Sequence, residues 1–287
     1  MGAAAINRID LNCDLGESFG AWRMGDDVAL LELISSANIA CGFHGGDPEI
    51  MRHTVAQAIA HGVAIGAHVS LPDLQGFGRR EMSVTPAEAH AMTLYQIGAL
   101  HAFTRAAGAK LVHVKPHGAL YNMAARDAAL ANAIARAVRD FDPKLRLFGL
   151  AGSALVEAGN SLGLSVVAEA FADRRYRADG SLQPRREAGS VIEDAELATA
   201  QAIGIARDGE VQTVDGHNVP LQADTLCLHG DGTHAVLLAG KLRNALEIVR
   251  FGRLGDPYPL VHRPRESRAR LTRRRAHSRR GAVSLLA

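Results

Sequence analysis

The sequence is poor in cysteine and has no long apolar run, and both absences narrow the class of protein. Its three cysteines, Cys13, Cys41 and Cys227, are far apart and form no CxxC pair, which argues against a disulfide framework and a structural zinc module. No apolar run reaches the roughly 18 residues of a membrane span, and no basic region followed by an apolar stretch opens the chain. We therefore expect a cytoplasmic protein without a membrane span or a signal peptide.

Two widespread functional motifs are also absent. The phosphate-binding pattern GxxxxGK fails at Gly240-Lys241, because Ala235 stands where its first glycine is required. No HExxH pattern marks a zinc-protease helix. Neither of these two signatures therefore marks a nucleotide or metal site in this sequence.

Charge is distributed unevenly along the 287 residues. Residues 251–287 hold ten arginines against Asp256 and Glu266, a net charge of +8, and subtracting this from the overall +2 leaves −6 for residues 1–250. The basic end has too few apolar residues to offset the entropy of ordering, so we expect residues 251–287 to be a disordered extension. No aromatic residue is interleaved between Arg263 and Arg280, and we expect no specific nucleic-acid binding.

Residues 1–250 alternate short apolar runs with helical patterns. Helices are predicted to begin at Asp47-Pro48 and Thr85-Pro86 and to cover Asp127–Arg139 and Asp231–Leu246. Strands separated by helices need crossover connections and hence a parallel sheet, either open or closed into a barrel. Seven runs are typical of strands: Ile6–Leu11, Ala37–Cys41, Val63–Val69, Leu111–Val114, Leu145–Leu150, Leu164–Ala170 and Thr225–Leu228.

Polar residues at the strand ends favour the barrel. In both folds the chemistry collects at the carboxyl ends of the strands, but an open sheet usually gathers its site at one or two switch points. Here six of the seven strands end in polar groups. We therefore predict one α/β domain over residues 1–250, a seven-stranded parallel β/α barrel of distorted TIM-like form. The polar groups at its mouth include Asn12, Asp14, Glu17, Asn38, His44, His68, Lys115, His117, Glu169, Asp173, Arg174, His229 and Asp231.

Histidines are frequent among these mouth residues. Each one taken alone is more often a hydrogen-bonded structural residue than a ligand, but their common placement changes that balance. Imidazole titrates near neutrality and carboxylate oxygens bind hard cations, so the group suits general acid–base chemistry or a divalent ion. Its members are Asp14, His44, His68, His117 and His229.

Lys115 lies on the same strand face as His113 and His117. A charged ammonium is costly to bury without a partner. It either pairs with a carboxylate such as Asp14 or Glu169, or it binds an anionic substrate.

Two further stretches indicate an anion-binding site, and a third indicates a loop that covers it. Arg174 and Arg175 either clamp a carboxylate or phosphate or are solvated. Gly230 and Gly232 belong to a GxGxxA pattern between a strand and a helix, which can present backbone N–H groups to a phosphate. Residues 73–80, DLQGFGRR, are interpreted as a mobile loop that covers the site.

Six blocks of the sequence together resemble the LamB/YcsF family, and they follow the family's order over about residues 6–248. Within them Gly45 stands where the family pattern has alanine, and GDGTH replaces an aspartate-threonine-proline turn. The blocks are DLNCDLGESFG (10–20), ANIACGFHGGDP (37–48), GAHVSLPDLQGFGRR (66–80), VKPHGALYN (114–122), EAFADRRYRADGSLQPR (169–185) and CLHGD (227–231).

The resemblance implies a β/α barrel related to carbohydrate deacetylases and an ATP-dependent hydrolysis of 5-oxo-L-proline to L-glutamate, with ATP as co-substrate, Mg²⁺, and B and C subunits as partners. It implies that Asp14 with His44 or His68 orients or deprotonates water, that Lys115 and Arg174 offset negative charge, and that His117 or His229 protonates the ring nitrogen. Substrate or phosphate contacts are expected from Asn12, Asn38, Glu169, Arg174, Gly230 and Gly232, and metal contacts from Asp173 and Asp231.

Two other functions fit the same mouth. The first is a metal-dependent deacetylase or amidohydrolase that needs no ATP, which tight stoichiometric zinc and activity without nucleotide would favour. The second is a non-catalytic subunit that binds substrate while its partners carry out the chemistry.

Overall fold

The computed structural model describes residues 9–230, 232 and 235–248. The strands of this part of the chain are β1 (Asp10–Leu15), β2 (Ser36–Ala40), β3 (Ala64–Val69), β4 (Leu111–Pro116), β5 (Arg146–Leu150), β6 (Ser165–Phe171), β7 (Glu210–Gln212), β8 (Asn218–Pro220) and β9 (Thr225–Leu228). Its α-helices are α1 (Asp27–Leu31), α2 (Pro48–His61), α3 (Pro86–Ala106), α4 (Gly118–Arg126), α5 (Ala128–Phe141), α6 (Ala154–Ser161), α7 (Ala195–Ile203), continued by a π-helical turn (Gly204–Asp208), and α8 (Ala235–Ile248).

Seven parallel strands close into a barrel in the order β1-β2-β3-β4-β5-β6-β9. Closure occurs at β9, where Thr225 pairs with Asp10 of β1 on one side and with Glu169 of β6 on the other. The predicted seven-stranded β/α barrel is confirmed. β7 and β8 form a separate antiparallel pair, and strands of three residues are too short to show an apolar periodicity.

The predicted helix starts are confirmed by their caps. The side chain of Asp47 accepts hydrogen bonds from the backbone N–H groups of Glu49 and Ile50, and Pro48 occupies the first helical position of α2. Thr85 and Glu88 form a reciprocal capping box at the start of α3. Each helix therefore begins where a capping side chain accepts hydrogen bonds from backbone N–H groups of the first turn, which have no partner within the helix.

Within the described residues the first strand is Asp10–Leu15, and it extends four residues beyond the predicted end at Leu11. Residues 6–8 of the predicted Ile6–Leu11 lie outside the described residues. The polar residues of the strand alternate with apolar ones, so Asn12 and Asp14 belong to the strand itself. Because a barrel strand can bury polar side chains on its inner face, the apolar run alone ends the strand too early. The last helix of the described residues is Ala235–Ile248, and Gly232, inside the predicted Asp231–Leu246 helix, is not helical. Asp231 and residues 251–287 lie outside the described residues.

The core lies mainly between the strands and the helices that surround them. Cys13, Leu15 and Ile39 are fully or almost fully buried in one continuous apolar cluster. Cys41 belongs to the same cluster, as its position opposite in parity to Asn38 predicts. The outer faces of the strands are therefore apolar, and polar side chains occupy the inner face toward the mouth.

Within the described residues, no helix has both the length and the apolar character needed to cross a membrane.

Candidate functional site

Lys115 is buried at the bottom of the mouth between two carboxylates. Its Nζ lies 2.9 Å from Oδ1 of Asp14 and 2.9 Å from Oε1 of Glu169, and its side chain is 2% exposed. It also lies 3.0 Å from Sγ of Cys227. Of the two alternatives left open by the sequence, pairing with a carboxylate is thus confirmed.

Asn12 and Asn38 form a hydrogen-bonded layer below Lys115. Nδ2 of Asn38 donates to Oδ1 of Asn12 at 2.7 Å and to Oδ1 of Asp14 at 2.9 Å, and Nδ2 of Asn12 donates to Oε1 of Glu169 at 3.0 Å. All three side chains of this layer, Asn12, Asn38 and Glu169, are inaccessible to solvent and do not line the cavity above them. This placement favours a positioning role over the predicted direct contact with substrate.

The same layer extends downward to His113. Nε2 of His113 lies 2.8 Å from Oδ1 of Asn38, and its ring stacks on Phe148 with centroids 4.2 Å apart. A Cβ at Gly66 would overlap the imidazole, so glycine is required there to admit the ring. His113 therefore fixes the orientation of the Asn38 amide, which in turn directs its N–H groups at Asp14.

Asp14 is held as a carboxylate by this environment. Burial raises its pKa, but His68, Lys115 and the other nearby donors outweigh burial and hold the pKa of Asp14 well below its usual range. One oxygen, Oδ1, accepts from Lys115 and Asn38, and the other, Oδ2, lies 3.2 Å from Nε2 of His68. Asp14 thus connects the floor with the histidines above it.

Three histidines and a glutamate converge above Asp14. Nε2 of His44 lies 3.1 Å from Oε1 of Glu17, and Nδ1 of His117 lies 2.9 Å from Nε2 of His68 and 3.5 Å from Oε1 of Glu17. The rings of His44 and His117 stack with centroids 3.8 Å apart. Four donor atoms, one from each residue, lie within 4.8 Å of one another, and all four residues are buried. This donor set is suited to a transition-metal ion.

Burial favours the neutral form of two of these histidines, His44 and His117. Burial, reinforced by neighbouring His68, holds the pKa of His44 well below its usual value. Burial together with His44 and His68 does the same to the pKa of His117. Both imidazoles are therefore neutral at pH 7 and offer lone pairs.

Glycines bring the supporting loops close to this cluster. A Cβ at Gly45 would lie 2.7 Å from the carbonyl oxygen of Glu17, so the glycine lets the loop that carries His44 pack against the loop that carries Glu17. A Cβ at Gly78 would lie 2.8 Å from Cδ2 of His117 and would also overlap Oγ of Ser70. The cluster is thus enclosed by backbone on two sides.

The loop of residues 73–80 lies against the site, as expected for a cover. Nε2 of His117 lies 2.9 Å from the carbonyl oxygen of Phe77, whose φ of 54° is in the left-handed region that non-glycine residues rarely adopt. The guanidinium of Arg80 forms a salt bridge with Asp73 within the loop. The mobility expected of this loop stays a prediction.

His229 forms a second, separate pair with Asp173. Nδ1 of His229 lies 2.8 Å from Oδ2 of Asp173, and its ring stacks on Phe171 with centroids 5.5 Å apart. Burial opposes ionisation of Asp173, but His229 and nearby arginines hold its pKa below the usual value. The Asp173 carboxylate is therefore engaged with the His229 imidazole. The group of side chains suited to a metal ion lies elsewhere in the mouth, at Glu17, His44, His68 and His117. The expected Asp173–Asp231 metal site stays a prediction, since Asp231 is not among the described residues.

Arg174 is buried and anchored by backbone. Its Nε donates to the carbonyl oxygen of Ser190 at 3.4 Å and its Nη2 to that of Gln183 at 2.6 Å. Burial, together with the positive charge of Arg185, lowers the pKa of Arg174 to about 10. The guanidinium is therefore fixed in place at the cavity wall, where the predicted contact with an anion requires it.

Gly230 and Gly232, the predicted phosphate contacts, differ in their surroundings. A Cβ at Gly230 would lie 2.6 Å from the carbonyl oxygen of Asp14, so close packing against β1 already accounts for this glycine. Gly232 is exposed. A phosphate-binding role for either residue stays a prediction.

The mouth opens into a cavity of about 1270 Å³. Asp14, His68, Lys115, His117 and His229 reach it from the barrel. Its rim is strongly basic: the lining arginines are Arg79, Arg80, Arg126, Arg174, Arg177, Arg185 and Arg186, against the acidic rim residues Glu81 and Asp179. An acidic, histidine-rich floor below a cationic rim attracts anions toward the reacting groups.

Sequence reasoning missed two contributors to the site and the role of a third. Glu17 is predicted at the mouth as a polar residue after the first strand, but nothing in its spacing distinguishes it as a partner of His44. The contact of the Phe77 carbonyl oxygen with His117 is made by backbone, so a pattern of side chains cannot predict it. Tyr121, buried at 4% exposure in the cavity wall, has the appearance of a core aromatic on α4.

A sequence model of the LamB/YcsF family matches residues 9–252. A protein from Bordetella pertussis, named as the A subunit of 5-oxoprolinase, is 61% identical over 239 residues, which cover 83% of this chain and 95% of that protein. A protein of the same name from Methylococcus capsulatus is 60% identical over 238 residues, covering 83% and 92% of the two chains.

A solved structure of similar sequence has the same fold. The crystal structure of a lactam utilization protein from Thermus thermophilus is 50% identical to this chain and superposes with a TM-score of 0.81. The match covers 85% of this chain and 98% of the other.

Proposed function

The chain belongs to the LamB/YcsF family, and on that basis we propose that it is the A subunit of an ATP-dependent 5-oxoprolinase. Such an enzyme opens the lactam of 5-oxo-L-proline to L-glutamate while ATP becomes ADP and phosphate. The observation that carries the proposal is the 61% identity, over 95% of its length, to a relative of that name.

The need for ATP follows from the chemistry of the substrate. A five-membered lactam is an unstrained, resonance-stabilised amide, and its nitrogen is a poor leaving group. Transfer of the γ-phosphoryl group to the lactam oxygen removes the amide resonance and makes the ring carbon electrophilic. Water then adds to that carbon, the C–N bond breaks, the nitrogen takes a proton, and a second water releases the phosphate.

The barrel mouth supplies groups for the hydrolytic half of this sequence. Asp14 is ionised and lies beside His68, so the Asp14 carboxylate accepts the proton of the attacking water. Of the two candidates for protonating the nitrogen, the structure favours His229. Its Nδ1 lies 2.8 Å from the Asp173 carboxylate, whereas burial holds the pKa of His117 well below its usual value.

The arginines of the rim offset the negative charge of the reactants. Buried Arg174 and the neighbouring arginines face a cavity larger than the 300–1,000 Å³ or so typical of small-molecule sites. A lactam fills only part of about 1270 Å³, and the remainder accommodates phosphate groups of ATP or of the phosphorylated lactam. Mg²⁺ would accompany ATP, because it neutralises the phosphates.

The B and C subunits are the partners that this function requires. The relatives are named as one subunit of 5-oxoprolinase, and this supports a multi-subunit enzyme. In that complex we place ATP-dependent activation at an interface with the partners and ring opening at the mouth described above.

A metal-dependent amidohydrolase that needs no ATP is the second candidate. The observation that favours it is the convergent donor set of Glu17, His44, His68 and His117. The two functions differ in one measurable property, the dependence on nucleotide.

The test is to co-express the chain with candidate B and C subunits, purify the complex, and measure glutamate released from 5-oxoproline with and without ATP. Release that needs both ATP and this chain supports the 5-oxoprolinase proposal. Release by this chain alone without ATP supports the amidohydrolase. Absence of ATP-dependent release from every assembly would count against the first proposal.

A further inference from the structure

Two histidines of the mouth, His68 and His117, have their hydrogens placed by backbone carbonyls. Nδ1 of His68 lies 3.1 Å from the carbonyl oxygen of Lys115, and Nε2 of His117 lies 2.9 Å from that of Phe77. A carbonyl oxygen only accepts, so these two nitrogens carry the hydrogens. In the neutral rings, the lone pairs are therefore on Nε2 of His68 and Nδ1 of His117, which face each other at 2.9 Å.

Carboxylate oxygens complete this convergence of acceptors. Oδ2 of Asp14 lies 3.2 Å from Nε2 of His68, and Oε1 of Glu17 lies 3.5 Å from Nδ1 of His117. Nε2 of His44 is 3.1 Å from the same Glu17 oxygen. Electron-rich atoms that converge in a buried site repel one another unless a positive charge lies between them.

We propose that Glu17, His44, His68 and His117 bind one divalent transition-metal ion through Oε1, Nε2, Nε2 and Nδ1. Ligand atoms about 2.0–2.1 Å from a tetrahedral ion lie roughly 3.3 Å from one another. Four of the six separations, 2.9, 3.1, 3.5 and 3.9 Å, bracket that value, and all four atoms lie within 4.8 Å of one another.

The donor types decide the class of metal. Three imidazoles and one carboxylate suit Zn²⁺, Co²⁺, Fe²⁺ or Mn²⁺, whereas Mg²⁺ prefers oxygen ligands and retains its waters. This centre is therefore distinct from the Mg²⁺ that accompanies ATP. Such an ion lowers the pKa of a bound water and polarises a carbonyl oxygen, and Asp14 lies beside it to take the proton.

The three histidines are not held equally. His68 and His117 each donate their other ring N–H to a backbone carbonyl, which fixes the ring for a ligand role. Nδ1 of His44 has no such partner among the described residues. The proposal therefore predicts a graded effect, in which loss of His68 or His117 weakens binding more than loss of His44.

The experiment uses the full chain without partners. It is stripped with a chelator, dialysed against excess Zn²⁺ or Co²⁺, freed of unbound ion, and analysed for metal by mass spectrometry and for Co²⁺ by visible absorption. We expect one ion per chain and an intense four- or five-coordinate Co²⁺ spectrum without a thiolate charge-transfer band. H68Q and H117Q should bind at least tenfold more weakly, and H44Q less so. H90N, which changes a surface histidine bonded to Asp140, should retain one ion per chain.

Circular dichroism and thermal unfolding of each variant separate loss of the ligand from loss of the fold. If H68Q or H117Q fails to fold, the E17Q variant and the wild-type Co²⁺ spectrum carry the test. Less than about 0.1 ion per chain in the wild type, roughly a tenfold deficit from full occupancy, would overturn the proposal. A Co²⁺ spectrum equal to that of the hydrated ion would also overturn it. Retention of one ion by both H68Q and H117Q would overturn it as well.

The catalytic part of this inference rests on the proposed function, and the two fail separately. Stoichiometric metal in a chain whose complexes release no glutamate would leave the metal site standing and remove the function. Full ATP-dependent turnover by a complex that contains no transition metal would remove the metal's catalytic part and leave the function.

Discussion

Nζ of Lys115 lies 2.9 Å from carboxylate oxygens of both Asp14 and Glu169, which belong to β1 and β6, the two strands that flank β9. Burial alone would lower the pKa of Lys115, but the attraction of Asp14 and its other negative neighbours raises it well above the usual value. The ammonium is therefore permanently charged and ties three strands together at the floor of the mouth.

Replacing Lys115 by methionine should destabilise the barrel. The variant leaves Asp14 and Glu169 facing each other without a counter-charge, and breaking a buried pair in this way costs about 3–5 kcal/mol. Urea unfolding measures the loss. The double variant K115M/E169Q should recover part of it, and K110M, at an exposed lysine, should change stability by less than about 0.5 kcal/mol. A K115M chain as stable as the wild type would show that the carboxylates need no ammonium.

His113 should make the free energy of unfolding decrease as the pH falls below neutrality. Burial, with the nearby charge of Lys115, lowers the pKa of His113 from 6.5 to about 3. Between these values the unfolded chain binds a proton that the folded chain does not, so the contribution is complete above pH 6.5 and is lost as the pH falls toward 3. H113Q should reduce the slope of unfolding free energy against pH by up to about 1.4 kcal/mol per unit. Unfolding in urea at pH 6, 5 and 4, roughly the middle of that window, tests this, and parallel curves for the two proteins would contradict it.

Gly78 should be more sensitive to substitution than other glycines of the same backbone conformation. Gly78 and Gly180 have φ of 64° and 79°, so alanine at either costs about 1–2 kcal/mol of backbone strain. Only at Gly78 would the added Cβ meet Ser70 and His117, whereas Gly180 has open space. G78A should therefore be less stable than G180A by about 1–3 kcal/mol in thermal or urea unfolding. Equal losses of stability in the two variants would mean that the 73–80 loop moves to accommodate the added methyl group.

Asp173 should act on turnover through His229. D173N keeps the size of the side chain but removes the carboxylate charge beside Nδ1 of His229, and turnover by the assembled enzyme should fall at least about tenfold. D179N is the matched control, because Asp179 lies at the rim of the same cavity and bonds to the backbone of Ser181. Unchanged turnover in D173N would show that the reaction does not depend on the contact between Asp173 and His229.

The sequence predicts the barrel because strand and helix patterns alternate clearly and the helix caps are local. It also indicates His44, His68, His117 and His229 as residues of one mouth, since each lies at or after the carboxyl end of a strand. Which of them meet depends on barrel closure and loop packing, and periodicity contains no information about either. The partnership of Glu17 with His44 depends on the close approach of two loops at Gly45.

The first strand shows the same limit in local structure. Asn12 and Asp14 interrupt its apolar pattern because they face the barrel interior, where Lys115 and Asn38 satisfy them. A one-dimensional pattern counts them as the end of the strand. The four-residue error at the end of β1 therefore has the same cause as the site itself, a polar network inside a barrel.

Turnover of the assembled three-subunit enzyme containing the H117A chain tests most directly whether ring opening takes place at this mouth. With ATP and 5-oxoproline saturating, and with folding and assembly of the variant verified, glutamate release should fall at least about tenfold below that of the wild-type complex. Undiminished release from the correctly assembled H117A enzyme would contradict the assignment of the chemistry to this site.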